Sequence, residues 1–133
     1  MRYPKALLLL FVPALALAQA PKSRLPLEKV KLPPGFSIGV FSEAVPGARS
    51  MALSPAGILY VGTRKEGKVY ALPDRNKDGR ADAVYTIASG LLSPNGVAWK
   101  GGSLYVAEIS RVLRFDGIDG RLEHPPKPVV VTD

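Results

Sequence analysis

Two stretches about 45 residues apart in this 133-residue chain carry nearly the same sequence. Residues 58–72 contain Ile-Leu-Tyr-Val followed by Gly-Lys-Val-Tyr-Ala-Leu, and residues 103–115 contain Ser-Leu-Tyr-Val followed by Ser-Arg-Val-Leu-Arg-Phe. Short apolar segments that recur at this spacing are typical of the four-stranded blades of a β-propeller. The repeat therefore predicts an all-β chain made of blades, each of which must bury its two faces against neighbours.

Each repeat contains four apolar segments separated by turn residues, which predicts a four-stranded antiparallel meander. The first blade is expected over residues 50–88 and the second over residues 95–132. The expected strands are residues 51–53, 58–63, 68–72 and 84–87 in the first blade, and residues 96–99, 104–109, 111–115 and 128–132 in the second. No stretch beyond the N-terminus has a sustained helical period of apolar residues, so almost no helix is expected.

A further apolar segment precedes the first blade. Phe36, Ile38 and Val40 alternate with other residues over residues 36–41, which predicts a strand that closes the ring by completing a preceding blade. A ring of six to eight blades at this spacing needs on the order of 270 to 360 residues. The chain, whose propeller part covers residues 35–133, is therefore expected to be a fragment or truncated product, with an oligomer that shares one ring as the alternative.

The first residues have the pattern of a secretory signal peptide. Arg2 and Lys5 precede an apolar run and small residues, so we expect residues 1–18 to be removed by cleavage after Ala18. The apolar run, about 12 residues long, is too short to span a bilayer, although an uncleaved anchor is the alternative. We therefore expect a periplasmic or secreted protein without a stable membrane anchor after cleavage. Residues 19–34 are rich in proline and indicate an extended leader.

Composition narrows the possible partners. The chain has no cysteine, so an exported form must be stabilised by its core or by a bound ion instead of disulfides. The formal net charge is +7, and basic residues cluster near the mature N-terminus at Lys22, Arg24, Lys29 and Lys31. Because no aromatic residue interleaves with this cluster, no nucleic-acid partner is expected.

The polar segment after the third strand of the first blade has the pattern of a calcium loop. Its sequence, Asp-Arg-Asn-Lys-Asp-Gly-Arg-Ala-Asp, places oxygen-bearing residues at alternate positions and a glycine where the loop must turn. An EF-hand would have glutamate at the twelfth position, where this chain has Tyr85. The predicted ligands of a structural calcium ion are Asp74, Asn76, Asp78, Arg80 through its carbonyl, and Asp82. The alternative is a set of Asx turns without an ion.

Propeller topology brings the loops between blades, and those between the second and third strands, to one face around the central channel. Arg49, Arg64, Asn95 and Glu108 are expected on this face. The two arginines could bind carboxylates, and Asn95 and Glu108 could coordinate a cation or a sugar hydroxyl. The alternative for each is an ordinary turn residue or surface charge. His124 lies in a proline-rich loop and is expected to be solvated.

Several motifs resemble the glucose/sorbosone dehydrogenase family. They are residues 32–38 (Leu-Pro-Pro-Gly-Phe-Ser-Ile), 48–52 (Ala-Arg-Ser-Met-Ala), 59–64 (Leu-Tyr-Val-Gly-Thr-Arg), 67–72, 90–98 (Gly-Leu-Leu-Ser-Pro-Asn-Gly-Val-Ala) and 104–108 (Leu-Tyr-Val-Ala-Glu). The similarity is greatest to the L-sorbosone dehydrogenase branch and covers about residues 32 to 131.

The resemblance implies a six-bladed, exported quinoprotein that oxidises aldoses or sorbosone-like sugars with pyrroloquinoline quinone and calcium. It also implies a histidine as general base, but His124 does not lie in the matching motif, so no catalytic residue is assigned and this chain alone is expected to be inactive. The segment 94–96, followed by residues 104–108, also resembles gluconolactonase-type propellers, which hydrolyse lactones with a channel metal. A non-catalytic propeller used for binding is the remaining alternative.

Overall fold

The computed structural model describes residues 25–132, which form two four-stranded antiparallel sheets and no α-helix. Sheet A contains, in order, β1 (Ala48–Leu53), β2 (Ile58–Thr63), β3 (Val69–Pro73) and β4 (Tyr85–Ala88). Sheet B contains β5 (Gly96–Lys100), β6 (Ser103–Ala107), β7 (Val112–Asp116) and β8 (Val129–Thr132). Single turns of 3-10 helix lie at Leu27–Lys29 and Ile118–Gly120. The predicted all-β chain with two meanders is confirmed.

Alternating apolar residues and tight turns explain why these segments pair as neighbouring strands. The β5–β6 hairpin turns through Gly101 and Gly102, whose φ angles of 58° and 81° are those of the turn that best fits strand twist. Both sheets also have a register shift at an equivalent place, beside Val69 in the β3–β4 pair and beside Val112 in the β7–β8 pair. The repeat in the sequence is therefore a repeat in backbone geometry as well.

The main core lies between the two sheets. The ring of Tyr60 in β2 stacks on that of Trp99 in β5, with centroids 5.5 Å apart and planes 10° from parallel. The first strands of the two sheets, β1 and β5, also contact each other. The buried members of this core are Ile58, Tyr60, Val69, Ala71 and Ile87 from sheet A, Leu104, Val106, Leu113 and Phe115 from sheet B, and Ile118 and Leu122 from the β7–β8 connection.

A second, smaller core covers the face of sheet A that is turned away from sheet B, which we call the far face of sheet A. Val61, Tyr70 and Leu72 are buried there. The chain before β1 covers them with Phe41 and Val45, and the backbone N–H of Ala81 donates a hydrogen bond to the carbonyl of Phe41, with N and O 2.9 Å apart. The central strands β2 and β3 of sheet A are thus buried on both faces.

The expected closing strand over residues 36–41 is not formed. These residues belong to no helix or strand and pair with no strand in the described part of the chain, and 72% of the surface of Phe36 is exposed. The physical reason is that a strand needs a hydrogen-bonded neighbour, and sheets A and B have their four strands already. Within the leader, residues 25–34 contain one turn of 3-10 helix and no buried residue.

Two further expectations concern the end of one strand and the N-terminus of the chain. The strand expected over residues 104–109 ends at Ala107, because the backbone N–H of Glu108 donates to the carbonyl of Arg111 and closes a tight turn there. The predicted signal peptide, residues 1–18, lies outside the described residues. Among residues 25–132, no helix is long and apolar enough to cross a membrane.

Candidate functional site

Loops from both sheets meet at one end of the molecule, which we call the upper end. It comprises residues 47–50, 63–68, 89–97 and 107–111. The backbone N–H of Leu91 donates to the carbonyl of Gly67 (N to O 3.0 Å), and that of Ile109 donates to the carbonyl of Leu92 (N to O 3.2 Å). The β4–β5 connection is therefore held against the hairpin loops of both sheets.

All four residues expected at a channel face lie at this upper end. Arg49 is in β1, Arg64 directly follows β2, and Asn95 directly precedes β5. The three residues are exposed, and their side chains make no hydrogen bond or ion pair with any other residue in the range 25–132. Two solvated guanidinium groups and one amide are therefore available to a ligand with carboxylates or hydroxyls.

Glu108 differs from the other three because its carboxylate is engaged within the fold. Only 1% of its side chain is exposed. One oxygen accepts a hydrogen bond from the backbone N–H of Leu92, with N and O 2.6 Å apart, and the other accepts from Nε of Arg111. Glu108 therefore holds the β4–β5 connection in place, and the expectation that it binds a ligand directly has no support in this geometry.

Ser50 and Gly62 position the segment that carries Asn95. The hydroxyl of Ser50 donates to the carbonyl of Asn95 and accepts from the backbone N–H of Val97, with N and O 3.2 Å apart. A Cβ on Gly62 would lie 2.5 Å from the carbonyl oxygen of Pro94, so only glycine allows the segment to approach β2 this closely. The Pro-Asn-Gly motif is thus fixed to both sheets.

The predicted calcium loop lies at the opposite, lower end, between β3 and β4. The carboxylate of Asp74 accepts hydrogen bonds from the backbone N–H groups of Asp78 and Gly79, each with N and O 3.1 Å apart. Similar bonds run from the N–H of Asp78 to the side chain of Asn76, from that of Arg80 to Asp78, and from that of Arg75 to Asp82. The bonds accepted by Asn76 and Asp78 come from the N–H two residues on, as in Asx turns, whereas those accepted by Asp74 and Asp82 span four to seven residues.

The loop oxygens are hard donors of the kind calcium prefers. Within residues 25–132, no three side chains of His, Cys, Asp or Glu lie close enough together to hold a metal ion, and the predicted ligand set also includes the amide of Asn76 and the carbonyl of Arg80. Calcium binding remains a prediction, which direct titration tests.

The lower end also contains a cavity of about 240 Å³ between the sheets. Arg75, Tyr85, Asp119 and His124 contribute to its wall, so the single histidine lies at the end opposite Arg49 and Arg64. Asp119 accepts a hydrogen bond from the hydroxyl of Tyr60, with the two oxygens 2.6 Å apart. Burial, followed by this hydrogen bond, raises the pKa of Tyr60 above its ordinary value of 10.0.

Comparisons with known proteins leave the family open. No protein-family model, curated protein or solved structure matches this chain.

Proposed function

We propose that sheets A and B are two consecutive blades of a β-propeller. The observation that carries this proposal is which face of each repeat packs against the other sheet. Tyr60 and Tyr105 are equivalent in the repeat, as are Val61 and Val106. The Tyr60 face of sheet A packs against the Val106 face of sheet B, so the two sheets stack in the same sense, as the blades of a propeller do.

We further propose that the chain is the N-terminal part of an exported sugar dehydrogenase of the glucose/sorbosone type. The support is the combination of the motifs that resemble this family with the upper end, where Arg49, Arg64 and Asn95 offer unpaired polar groups. A blade junction that presents exposed side chains around a channel is the usual location of a propeller's ligand.

Pyrroloquinoline quinone is the cofactor of this proposal, and the exposed groups at the upper end fit part of its chemistry. When bound, it supplies a hydride acceptor for the oxidation of a sugar carbon. Arg49 and Arg64 would bind its carboxylates, and Asn95 would donate to a carbonyl or hydroxyl oxygen. Among residues 25–132 no histidine lies at this end, so the histidine base implied by the resemblance has no counterpart among the described residues there.

The lactone-hydrolase alternative is less well supported. It requires Glu108 to be free to bind a metal beside Asn95, whereas the Glu108 carboxylate is buried and accepts from Leu92 and Arg111. Breaking these bonds would leave a buried N–H and an arginine without partners, which costs about 1–3 kcal/mol for the N–H alone.

Quinone binding by the purified chain tests the proposal, measured by equilibrium dialysis with and without calcium. Arg49→Gln and Arg64→Gln are each expected to weaken binding about tenfold, the equivalent of about 1.4 kcal/mol for one charged hydrogen bond. Arg75→Gln at the lower end is the matched control and should bind like the parent. Equal binding by all variants, or none by the parent, contradicts the proposal.

Calcium is tested separately by calorimetric titration of the parent chain and of Asp78→Asn. A structural ion in the Asp74 loop would give a binding signal in the parent that the variant loses. A flat titration of the parent would establish the Asx-turn alternative and would leave the quinone proposal untouched. Calcium-dependent lactone hydrolysis without quinone binding would favour the second enzyme class instead.

A further inference from the structure

The face of sheet B that is turned away from sheet A, its far face, is open. Part of it is apolar, and the ion pair between Arg114 and Asp116 lies beside that part. Ala98, Tyr105, Ala107 and Val112 line a shallow groove of about 290 Å³ on it. Tyr105 is only half-buried, whereas Tyr60, its equivalent in sheet A, is fully buried against the neighbouring sheet. In the repeat, the far face of sheet B therefore corresponds to the Tyr60 face of sheet A, which packs against sheet B.

The outer edge of the same sheet is also open. Strand β8 pairs only with β7 and is the last strand of sheet B, so one side of its backbone has no strand beside it within residues 25–132. Val129, Val130 and Val131 are 47%, 49% and 48% exposed, so β8 is uncovered on both faces as well as at its edge. An apolar, unpaired edge of this kind is a template for the addition of another strand.

A segment before β1 also lacks a strand partner. Residues 36–40, which we call the arm, belong to no helix, strand or turn and have no strand partner within the described residues. The arm exposes 72% of Phe36 and 45% of Ile38, in the alternating pattern of a strand. Within the described residues, the arm and the open edge of β8 thus both lack a hydrogen-bonded strand partner.

The arm and the β8 edge lie on opposite sides of one molecule. Phe41, which directly follows the arm, packs on the far face of sheet A, and sheet B packs on the other face of sheet A. Sheet A therefore separates the arm from β8, and the pair can form without rearrangement only between two copies.

We propose that the chain self-associates head to tail, with the arm of one copy added beside β8 of the next. The far face of sheet B then packs against the arm side of the second copy's sheet A. Tyr105 would be buried there as Tyr60 is buried between sheets A and B. The occupant of the open face is thus a second copy of this chain.

Charge favours an antiparallel pairing. Glu43 follows the arm and Lys127 precedes β8, and neither makes an ion pair with another residue of the described chain. An antiparallel pair brings the Glu43 end of the arm to the Lys127 end of β8, whereas a parallel pair brings Lys31 towards Lys127 instead. Like charges brought together across a strand pair destabilise it.

The interface joins two different surfaces, so the assembly closes into a ring if the rotation between copies allows it, and otherwise grows into a filament. With two sheets in each copy, three copies would supply six sheets, within the roughly four to eight blades of known propellers. The inference goes beyond the proposed function and does not rest on it, because it needs only the two open surfaces and no quinone.

Sedimentation velocity over a range of concentrations of the purified chain, without quinone, tests the proposal. Val130→Lys charges the β8 edge and is expected to weaken self-association about tenfold or more. Ile109→Lys makes the same change at a residue that is 80% exposed at the upper end, and it should associate like the parent. Circular dichroism verifies that both variants fold. A parent that stays monomeric at every concentration, or two variants that weaken association equally, overturns the proposal.

Disulfide trapping tests the head-to-tail arrangement, since the chain has no cysteine of its own. A chain with Ile38→Cys is mixed under oxidising conditions with a chain that has Val129→Cys, Val130→Cys or Val131→Cys. At least one mixture should give the mixed dimer in clear excess over the two homodimers. A statistical mixture, or an excess of the Ile38→Cys homodimer, overturns the arrangement and leaves the open face to another protein or to further chain.

Discussion

Sheets A and B repeat the same strand order but differ in how their faces are buried. All five residues of β3 in sheet A are buried, whereas β7, the equivalent strand of sheet B, alternates between buried and more exposed residues. The difference is greatest at Tyr60, which has no exposed surface, and at Tyr105, which is half-buried beside an open groove. Two segments of nearly the same sequence thus have different environments.

The comparison shows that burial in this chain is set by what covers a sheet, and less by the residues of the strands themselves. The far face of sheet A is covered by Phe41 and Val45 from the chain before β1, while no described residue covers the far face of sheet B. The repeat gives both sheets apolar residues on both faces, and the far face of sheet B also carries the ion pair between Arg114 and Asp116. Substitutions at equivalent positions should therefore have unequal effects.

The largest difference is expected between Tyr60→Ala and Tyr105→Ala. Removing the fully buried ring of Tyr60 leaves a cavity beside Trp99 and should lower the free energy of unfolding by about 3–5 kcal/mol. Tyr105→Ala should cost about 1 kcal/mol, because water already reaches that ring. Urea unfolding followed by circular dichroism at low protein concentration measures both. Equal costs would contradict the difference between the sheets.

A second pair compares Gly62 with Ala107, its equivalent in sheet B. Gly62→Ala places a Cβ 2.5 Å from the carbonyl oxygen of Pro94, so the β4–β5 connection must shift, at a cost of about 1–3 kcal/mol. Ala107→Gly in the open sheet should cost about 0.5–1 kcal/mol through added chain entropy alone. Denaturant midpoints of the two variants provide the measurement, and a Gly62→Ala chain as stable as the parent contradicts the close contact.

Tyr60→Phe sharpens the comparison because it keeps the ring and removes only the hydroxyl that donates to Asp119. The loss should cost about 1–2 kcal/mol near neutral pH. Because the pKa of Tyr60 is raised in the folded state, its contribution is fully present below pH 10.0 and falls as the pH rises further.

The parent should therefore lose stability more steeply than Tyr60→Phe in urea titrations as the pH rises from about 10 to about 11. Tyr105→Phe is the matched control, because it removes a tyrosine hydroxyl that takes no part in the bond between Tyr60 and Asp119. Parallel profiles for the parent and Tyr60→Phe would show that the buried hydroxyl titrates as it does in the unfolded chain.

The smallest effects concern the residues that close the two equivalent hairpins. In sheet A the hydroxyl of Thr63 donates to the carbonyl of Lys68 and accepts from its N–H, at 2.7 and 3.0 Å between the heavy atoms. Thr63→Val should cost about 1 kcal/mol. Glu108→Gln keeps an acceptor for Leu92 and should cost about 0.5 kcal/mol through the weakened pair with the partly exposed Arg111. A larger cost for Glu108→Gln would show that the ion pair dominates the hairpin of sheet B.

The strands were predictable from the sequence because alternation and turn residues are local signals. Residues 58–63 were expected as a strand and are one, with the same first and last residue. The strand expected over residues 36–41 also has a strong local pattern, but strand formation depends on a partner, and the pattern contains no information about one.

The candidate site was predictable only in its location. The order of the strands was enough to bring Arg49, Arg64, Asn95 and Glu108 to one end. It could not reveal that the carboxylate of Glu108 is used by Leu92 and Arg111, because these bonds depend on how two loops pack. The same holds for Asp119, which no motif marks and which meets Tyr60 only across the interface between the sheets.

Amide hydrogen exchange of the monomer, resolved by residue, tests the difference between the sheets most directly. The backbone N–H groups of β3, covered on both faces, should exchange more slowly than those of β7, and those of β8 should exchange fastest among the paired strands. Addition of a second copy at high concentration should slow exchange in β8 and leave β3 unchanged. Equal protection of β3 and β7 in the monomer would contradict the claim that coverage distinguishes the two repeats.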